Sequence, residues 1–191
     1  MRKLVSNVLA GARRFRRDRR GVAAIEFAMV VPLMVMMFVG TVEFSQAITV
    51  DRRVSQVASS TADLVARAKS LTTTEMNGIM DIIEQLMKPY DETLLKLTVL
   101  NVMASPSNVN DTKVCWSHAH NGGTSYGKNA SYTLPQGVVE AGDSVIVAEV
   151  EYNYTPLIFD YFIKTTKKLE EKFYLKPRLS SYVKYDGQEC S

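Results

Sequence analysis

The sequence predicts an α+β protein, in which one N-terminal transmembrane helix continues into a longer helix and is followed by a domain with an antiparallel β-sheet. Three observations predict this class: an apolar run at residues 22–42, apolar residues at helical spacing after it, and alternating or β-branched runs in the second half. A chain whose helices come first and whose strands follow is typical of α+β domains. The 191 residues are 46% hydrophobic and 23% charged, which argues against a wholly disordered chain and a multi-span membrane protein.

The charges are divided unevenly along the chain. Residues 1–20 hold eight basic residues and one acidic residue, a net charge of +7, although the whole chain carries only +3. The remaining residues therefore have a net charge of −4. A basic average that comes from one terminal segment does not indicate a nucleic-acid-binding domain, so we expect no nucleic-acid partner.

The apolar run at residues 22–42 predicts the transmembrane helix. Its only charged residue is Glu26, and its length as an α-helix is about 30 Å, the thickness of a bilayer's hydrocarbon core. A buried core helix is one alternative, although such a helix is seldom apolar on all sides. A cleaved signal peptide is another, but Ser45–Ala47 resembles its cleavage site only weakly. Because basic flanks resist translocation, we expect residues 1–21 to be a cytoplasmic leader and residues 43–191 to be exported.

Two helical segments are predicted after the membrane. Apolar residues recur every three or four positions as far as Lys69, so the spanning helix should continue through residues 43–69; these residues are Val50, Val54, Val57, Ala58, Thr61, Leu64, Val65 and Ala68. A second helix is predicted from Thr74, as its N-cap, to Met87, with Pro89 after its end. Its apolar face would consist of Ile79, Ile82, Ile83, Leu86 and Met87.

Strands are predicted in the second half, within an exported α+β domain of residues 70–191. Four segments have the alternation or β-branched character of strands: Leu95–Val102, Thr112–Ser117, Val145–Tyr154 and one within Phe173–Tyr185. Glycine, asparagine and proline mark loops between them, at Asn121–Gly123 and Leu134–Gly137. Residues 159–171 fit either an amphipathic helix or an extended loop.

A distinctive set of residues stands at the start of the apolar run. Gly21 follows two arginines, and Glu26 stands five positions later, before a phenylalanine. Pro32 follows six positions after this glutamate, and Glu43 is a further acidic position. The arrangement resembles the TadE/TadG-like pseudopilins of the tight-adherence pilus system (Tad or Flp, type IVb), over about residues 19–62.

The resemblance implies how this segment works. In such proteins a membrane prepilin peptidase cuts after the glycine, so cleavage between Gly21 and Val22 is expected. The resemblance also implies that Glu26 pairs with the new amino group, on the same or a neighbouring subunit, and that the spanning helix and its extension form one long pilin-like helix. A glutamate that only reaches the membrane interface is the alternative. Pro32 removes a backbone donor, so a kink is expected there.

The predicted function follows from this resemblance. The protein would be a minor pseudopilin-like component of a Tad/Flp type IV pilus assembly system, contributing to pilus biogenesis and surface adhesion. Its expected partners are prepilin peptidase, other Tad pilins and pseudopilins, inner-membrane assembly proteins and membrane lipid. It would cross the bacterial inner membrane once, with its C-terminal domain in the periplasm. Two alternatives are a family member whose leader stays attached, and an uncleaved, signal-anchored periplasmic scaffold or ligand-binding protein unrelated to pili.

Cys115 and Cys190 form a candidate disulfide. Both lie in the region expected to be exported, where an oxidising periplasm favours pairing. A bridge would close a loop of about 75 residues and stabilise the fold by roughly 4 kcal/mol on the chain-entropy model. Two free cysteines are the alternative.

The sequence contains no pattern that indicates catalysis. It lacks the Gly-x-Ser-x-Gly, P-loop and His-Glu-x-x-His motifs, so we expect no enzyme activity and no cofactor. His118 and His120 form a His-x-His pair beside Cys115, but no second cysteine or carboxylate cluster is near in sequence. We therefore predict no metal site.

Overall fold

A computed structural model of the chain describes residues 21–156, residue 158 and residues 166–190. The chain divides into two compact units, residues 1–45 and residues 46–191. The first helix, α1 (Val22–Ala66), contributes residues to both units.

In the second unit, α1 presents a buried stripe to the core. Its buried residues recur every three or four positions, as the sequence predicts: Val50, Val54, Val57, Ala58, Thr61, Ala62, Val65 and Ala66. The helix ends at Ala66 rather than near Lys69, because the backbone N–H of Arg178 donates to the Ala66 carbonyl oxygen at 2.9 Å and the chain then becomes extended. Leu64, predicted in the stripe, is 37% exposed.

The second helix, α2 (Thr73–Glu84), begins earlier than predicted. Its N-cap is Thr72 and not Thr74, because only Thr72 has a glutamate three residues later, Glu75, that can complete a capping box. The α-helix ends at Glu84, and a 3₁₀ turn at Gln85–Met87 follows. Helical structure therefore reaches the predicted end at Met87, but its last turn is of the 3₁₀ type.

The buried face of α2 also differs from the prediction. Ile82, predicted to be apolar core, is 64% exposed, whereas the buried residues are Met76, Met80 and Ile83, with Met87 in the following turn. The spacing of four, three and four residues gives a single stripe, and it is carried by methionines, whose flexible side chains fill irregular gaps.

Four strands form an antiparallel sheet and confirm the predicted α+β class. Their order across the sheet is β3-β2-β4-β5. The strands are β2 (Leu95–Ala104), β3 (Thr112–His120), β4 (Ser144–Tyr154) and β5 (Lys167–Leu175). A separate parallel pair joins β1 (Ser70–Leu71) to β6 (Lys184–Tyr185).

The predicted segment within Phe173–Tyr185 is two strands with different partners. β5 starts at Lys167, within the stretch 159–171 for which the sequence favours a helix or loop. Two of its lysines lie opposite polar residues of β4, Lys172 opposite Glu149 and Lys168 opposite Asn153, which is compatible with a strand. Residues 159–165 lie outside the described residues.

The sheet has an apolar cluster on each face. The larger cluster packs α1 and α2 against alternate residues of the strands, including Leu97, Val99 and Trp116. The smaller one is covered by the loop after β3, through Tyr126 and Tyr132. This loop approaches closely at Gly123, where a Cβ would lie 2.6 Å from Thr98 Oγ1 and against the backbone of β2.

Candidate functional site

The predicted processing position lies at the start of α1. Gly21 is exposed and directly precedes the first helical residue, Val22, which is 48% exposed. A Cβ built on Gly21 would meet nothing within 4 Å. The backbone at this position is therefore free of obstruction from the described part of the chain. The basic residues of the leader, 1–20, lie outside it.

The apolar residues of the first unit are exposed on every side of α1. Twelve large apolar side chains between Val22 and Phe44 are each 48% exposed or more; they are Val22, Ile25, Phe27, Met29, Val30, Leu33, Met34, Val35, Met36, Met37, Phe38 and Phe44. Leaving them in water would forgo on the order of 10–20 kcal/mol of hydrophobic stabilisation. Among the described residues, α1 is the one helix long and apolar enough to cross a membrane.

Glu26 is exposed one helical turn after Val22. Residues four apart lie on the same face of an α-helix, so the Glu26 carboxylate and the backbone nitrogen of Val22 are on one side of α1. Within the part of the chain that the structure describes, the Glu26 carboxylate makes no hydrogen bond or ion pair. The carboxylate is thus available to a partner.

Pro32 lies inside α1, and helical structure continues on both sides of it. The kink expected there stays a prediction. Further along, Thr41 Oγ1 donates to the Met37 carbonyl oxygen at 2.9 Å, which satisfies the hydroxyl inside the helix. Glu43, the later acidic position, is only 6% exposed.

Cys115 and Cys190 are joined by a disulfide in the structure. Their Cα atoms lie 4.9 Å apart, and the bond ties the segment after β6 to the middle of β3. The two cysteines are in the second unit, so they belong to a different part of the chain from Gly21, Val22, Glu26 and Pro32.

A buried polar cluster surrounds the end of the chain near β6. The Val183 carbonyl oxygen accepts from Trp116 Nε1 at 2.7 Å and from Asn101 Nδ2 at 3.2 Å. Beside it, His118 Nδ1 and the Tyr185 hydroxyl are 2.9 Å apart, and the same hydroxyl is 2.9 Å from Thr73 Oγ1. This cluster fastens β6 to β2, β3 and α2.

His118 is held in an environment that disfavours its charged form. Burial lowers its pKa below the ordinary value, the neighbouring His120 lowers it further, and Asp186 opposes them. Its Nε2 atom is buried and has no hydrogen-bond partner among the described residues. Protonation of both ring nitrogens would place a positive charge in this half-buried position, which desolvation disfavours.

A carboxylate on the other face of the sheet is held by three donors. Glu149 accepts hydrogen bonds from Tyr132 at 2.7 Å and Tyr126 at 2.9 Å, and it forms an ion pair with Lys172. Burial raises the pKa of Glu149, but these donors lower it by more. Burial and the same carboxylate raise the pKa of Tyr126 to about 12. The group is a satisfied structural network that holds the loop against β4 and β5.

The structure brings together one set of residues that sequence reasoning missed. Asp81 and Glu84 of α2 meet His120 at the end of β3, and one ligand atom of each lies within 4.8 Å of the others. In the sequence, His120 stands beside only one other potential nitrogen ligand, His118. The carboxylates are more than thirty positions away in the chain, so local spacing gave no signal of them.

The comparisons with known proteins bear on the first of these regions. Residues 21–63 match the family model described as TadE, TadE-like protein. The matched segment begins at Gly21 and contains Val22, Glu26 and Pro32, so the resemblance is confirmed there and is consistent with a TadE/TadG-like protein of the Tad pilus system. No curated protein and no solved structure matches the chain.

Proposed function

We propose that this chain is a minor pseudopilin-like component of a Tad/Flp type IV pilus assembly system, contributing to pilus biogenesis and surface adhesion. The observation that carries the proposal is the TadE-like match over residues 21–63, which coincides with an apolar helix exposed on all sides. The match implies association with Tad pilus components. A minor pseudopilin would associate with them through its membrane helix.

The charge distribution supports a defined orientation. Residues 1–20 carry a net charge of +7, and positive flanks stay on the cytoplasmic side of a membrane helix. Residues 46–191 would then be periplasmic, in a compartment that permits the bond between Cys115 and Cys190. The protein would be a single-pass inner-membrane protein, in contact with membrane lipid along the first part of α1.

Processing after Gly21 would change the chemistry of the membrane surface. Cleavage would remove the basic leader and create an α-amino group on Val22, which is positively charged or nearly so at neutral pH. Glu26, on the same side of the helix, could neutralise this group in its own subunit or in a neighbour. Pairing between subunits would fix their register. The charge-assisted contact would also give the Glu26 carboxylate a partner, which it would otherwise lack in lipid.

The partners of this proposal are prepilin peptidase, other Tad pilins and pseudopilins, and inner-membrane assembly proteins. No catalytic reaction is assigned to the chain. The competing function is an uncleaved, signal-anchored periplasmic scaffold or ligand-binding protein unrelated to pili. It would need the leader to remain attached, and it gives Glu26 no partner.

The test is processing by a prepilin peptidase. The full chain is expressed with and without a Tad prepilin peptidase in a bacterium that lacks its own. With the peptidase, we expect a loss of about 2 kDa from the 21.4 kDa chain and a new N-terminus at Val22. Gly21→Val should block the cut, because a branched side chain replaces the unobstructed backbone.

The matched control is Gly40→Ala, a glycine of the same helix with equally free surroundings. It should be processed like the natural sequence. A chain that keeps its full length with an active peptidase, or that is cut at another position, would contradict the proposal and favour the anchored scaffold.

A further inference from the structure

The end of α2 and the end of β3 form a cluster of three potential metal ligands. Asp81 and Glu84 project from α2, and His120 is the last residue of β3. One ligand atom from each residue lies within 4.8 Å of the other two. His120 Nε2 and Glu84 Oε1 are 2.8 Å apart.

The fold places these side chains together for reasons that do not involve a ligand. Asp81 and Glu84 are three residues apart and therefore share one side of α2. The buried stripe of the same helix, Met80 and Ile83, packs into the larger apolar cluster and fixes its rotation about its axis. His120 then meets the carboxylates at the edge of the packed layer, where Asp81 is exposed and the other two are half-buried.

The three side chains supply one imidazole nitrogen and two carboxylate oxygens. This set suits first-row divalent transition metals, because imidazole is a poor ligand for Mg²⁺ and Ca²⁺. Metal–ligand bonds of 2.0–2.2 Å place neighbouring ligand atoms about 3.0 Å apart in octahedral geometry and about 3.4 Å apart in tetrahedral geometry. The observed 2.8 Å between His120 Nε2 and Glu84 Oε1 reaches either value through a small side-chain movement.

A fourth residue, Asn121, forms a hydrogen bond with one of the three potential ligands. Asn121 Nδ2 donates to Glu84 Oε1 at 2.8 Å. Asn121 has a φ of 52°, in the left-handed region that asparagine adopts more readily than most residues. Metal-ligating carboxylates are commonly oriented by such outer hydrogen bonds.

The other histidine of the His-x-His pair is committed elsewhere. His118 Nδ1 is 2.9 Å from the Tyr185 hydroxyl and belongs to the buried cluster around β6. A chelate built on the two histidines alone is therefore disfavoured.

We propose that Asp81, Glu84 and His120 bind a divalent transition-metal ion, with Zn²⁺ as the probe, and that the ion links the end of α2 to the end of β3. The metal takes the place of the direct contact between His120 Nε2 and Glu84 Oε1. The proposal is independent of the pilus function, because it depends only on residues of the second unit.

The test measures Zn²⁺ binding to the full chain by calorimetry. The chain is purified in detergent without a polyhistidine tag. We expect one Zn²⁺ per chain with micromolar affinity or tighter, and an affinity at least about tenfold weaker in Glu84→Gln and in His120→Gln. His118→Gln is the matched control and should bind within about twofold of the natural chain. Ca²⁺ should bind much more weakly than Zn²⁺.

A stability measurement accompanies the binding data. With free Zn²⁺ at 100 times its dissociation constant, the melting temperature should rise by roughly 5–10 °C, and Glu84→Gln should abolish the rise. Asn121→Gly keeps a residue suited to the positive φ, and its loss of the outer hydrogen bond should weaken binding about tenfold.

Three results would overturn the proposal. They are an absence of Zn²⁺ binding at millimolar concentration, an affinity unchanged by His120→Gln, and an equal loss in His118→Gln. The first would leave the cluster as a hydrogen-bonded contact between α2 and β3. The second would indicate a carboxylate pair, and the third a His-x-His chelate.

Discussion

At the scale of single residues, Glu26 is the side chain on which the proposed assembly depends. We expect Glu26→Gln to insert into the membrane at least as well as the natural chain, because a carboxylate in a span costs up to about 3 kcal/mol. Association with other Tad pilins should weaken about tenfold or more, because a charge-assisted hydrogen bond is lost. Co-purification from membranes, with band intensities measured against total protein, checks this.

The control for Glu26 is Asp51→Asn, an exposed carboxylate on the same helix. It should co-purify like the natural chain. If Glu26→Gln also retains its partners, the carboxylate has no pairing role and only reaches the interface.

His118 gives a prediction about pH. Its pKa is lower in the folded state than in the unfolded state, so the folded state binds fewer protons. The free energy of unfolding should be greatest above the unfolded pKa of about 6.5 and should fall as the pH falls through it towards the folded pKa. Urea unfolding of the full chain in detergent with a chelator, at pH 7.5 and 5.5, measures the difference.

His118→Gln should flatten this dependence between pH 7.5 and 5.5, because an amide does not titrate there. The carboxylates with lowered pKa, such as Glu149, lose their contribution only at more acidic pH. A variant with the same slope as the natural chain would assign the pH dependence to another group.

Single residues also show why part of the site was not predictable. Gly21, Val22 and Glu26 could be identified because their pattern is local in sequence, and the TadE-like match covers the same segment. Asp81 and His120 could not be joined, since the contact depends on how α2 rotates against the sheet. No local spacing encodes that rotation.

At the scale of elements, the contribution of the α2 capping box to the free energy of unfolding can be measured. Thr72 N donates to Glu75 Oε2 at 2.8 Å, and Glu75 N donates to Thr72 Oγ1 at 3.3 Å. The hydrogen bonds from the Thr72 backbone and side chain lower the pKa of Glu75. Thr72→Ala should lower the free energy of unfolding by about 1 kcal/mol.

Thr74→Ala is the matched control, because Thr74 is exposed in the first turn and is the cap that the sequence predicted. Its effect should stay within about 0.5 kcal/mol. Equal losses in the two variants, measured by urea unfolding, would show that Thr72 has no special role.

The elements also differ in how far the sequence predicts them. β2 and β4 were predicted nearly to their ends because each is a long run of mostly buried residues with apolar side chains on both faces. The start of β5 was not predicted, because its side chains are mostly charged and exposed. Its pairing with β4, and not its own composition, makes it a strand. The same holds for β1 and β6, which are two residues long.

At the scale of the whole molecule, the disulfide joins two residues that are 75 positions apart in the sequence. Replacing Cys115 and Cys190 together by serine should reduce the free energy of unfolding by about 4 kcal/mol, because the unfolded chain loses a constraint across 75 residues. Intact mass under non-reducing conditions should be lower than that of the reduced chain by two hydrogen masses. Two free thiols in protein purified from membranes without a reducing agent would contradict the bond.

The parallel pairing of β1 with β6 has a consequence for the order of events during synthesis. Residues 70–71 emerge early and their partners 184–185 emerge late, and the acceptor for Trp116 and Asn101 is Val183. A chain stopped after Leu175 would contain all four strands of the sheet and still leave two interior donors without an acceptor. Folding therefore finishes only when the last strand arrives, and until then the domain is open to chaperones and proteases.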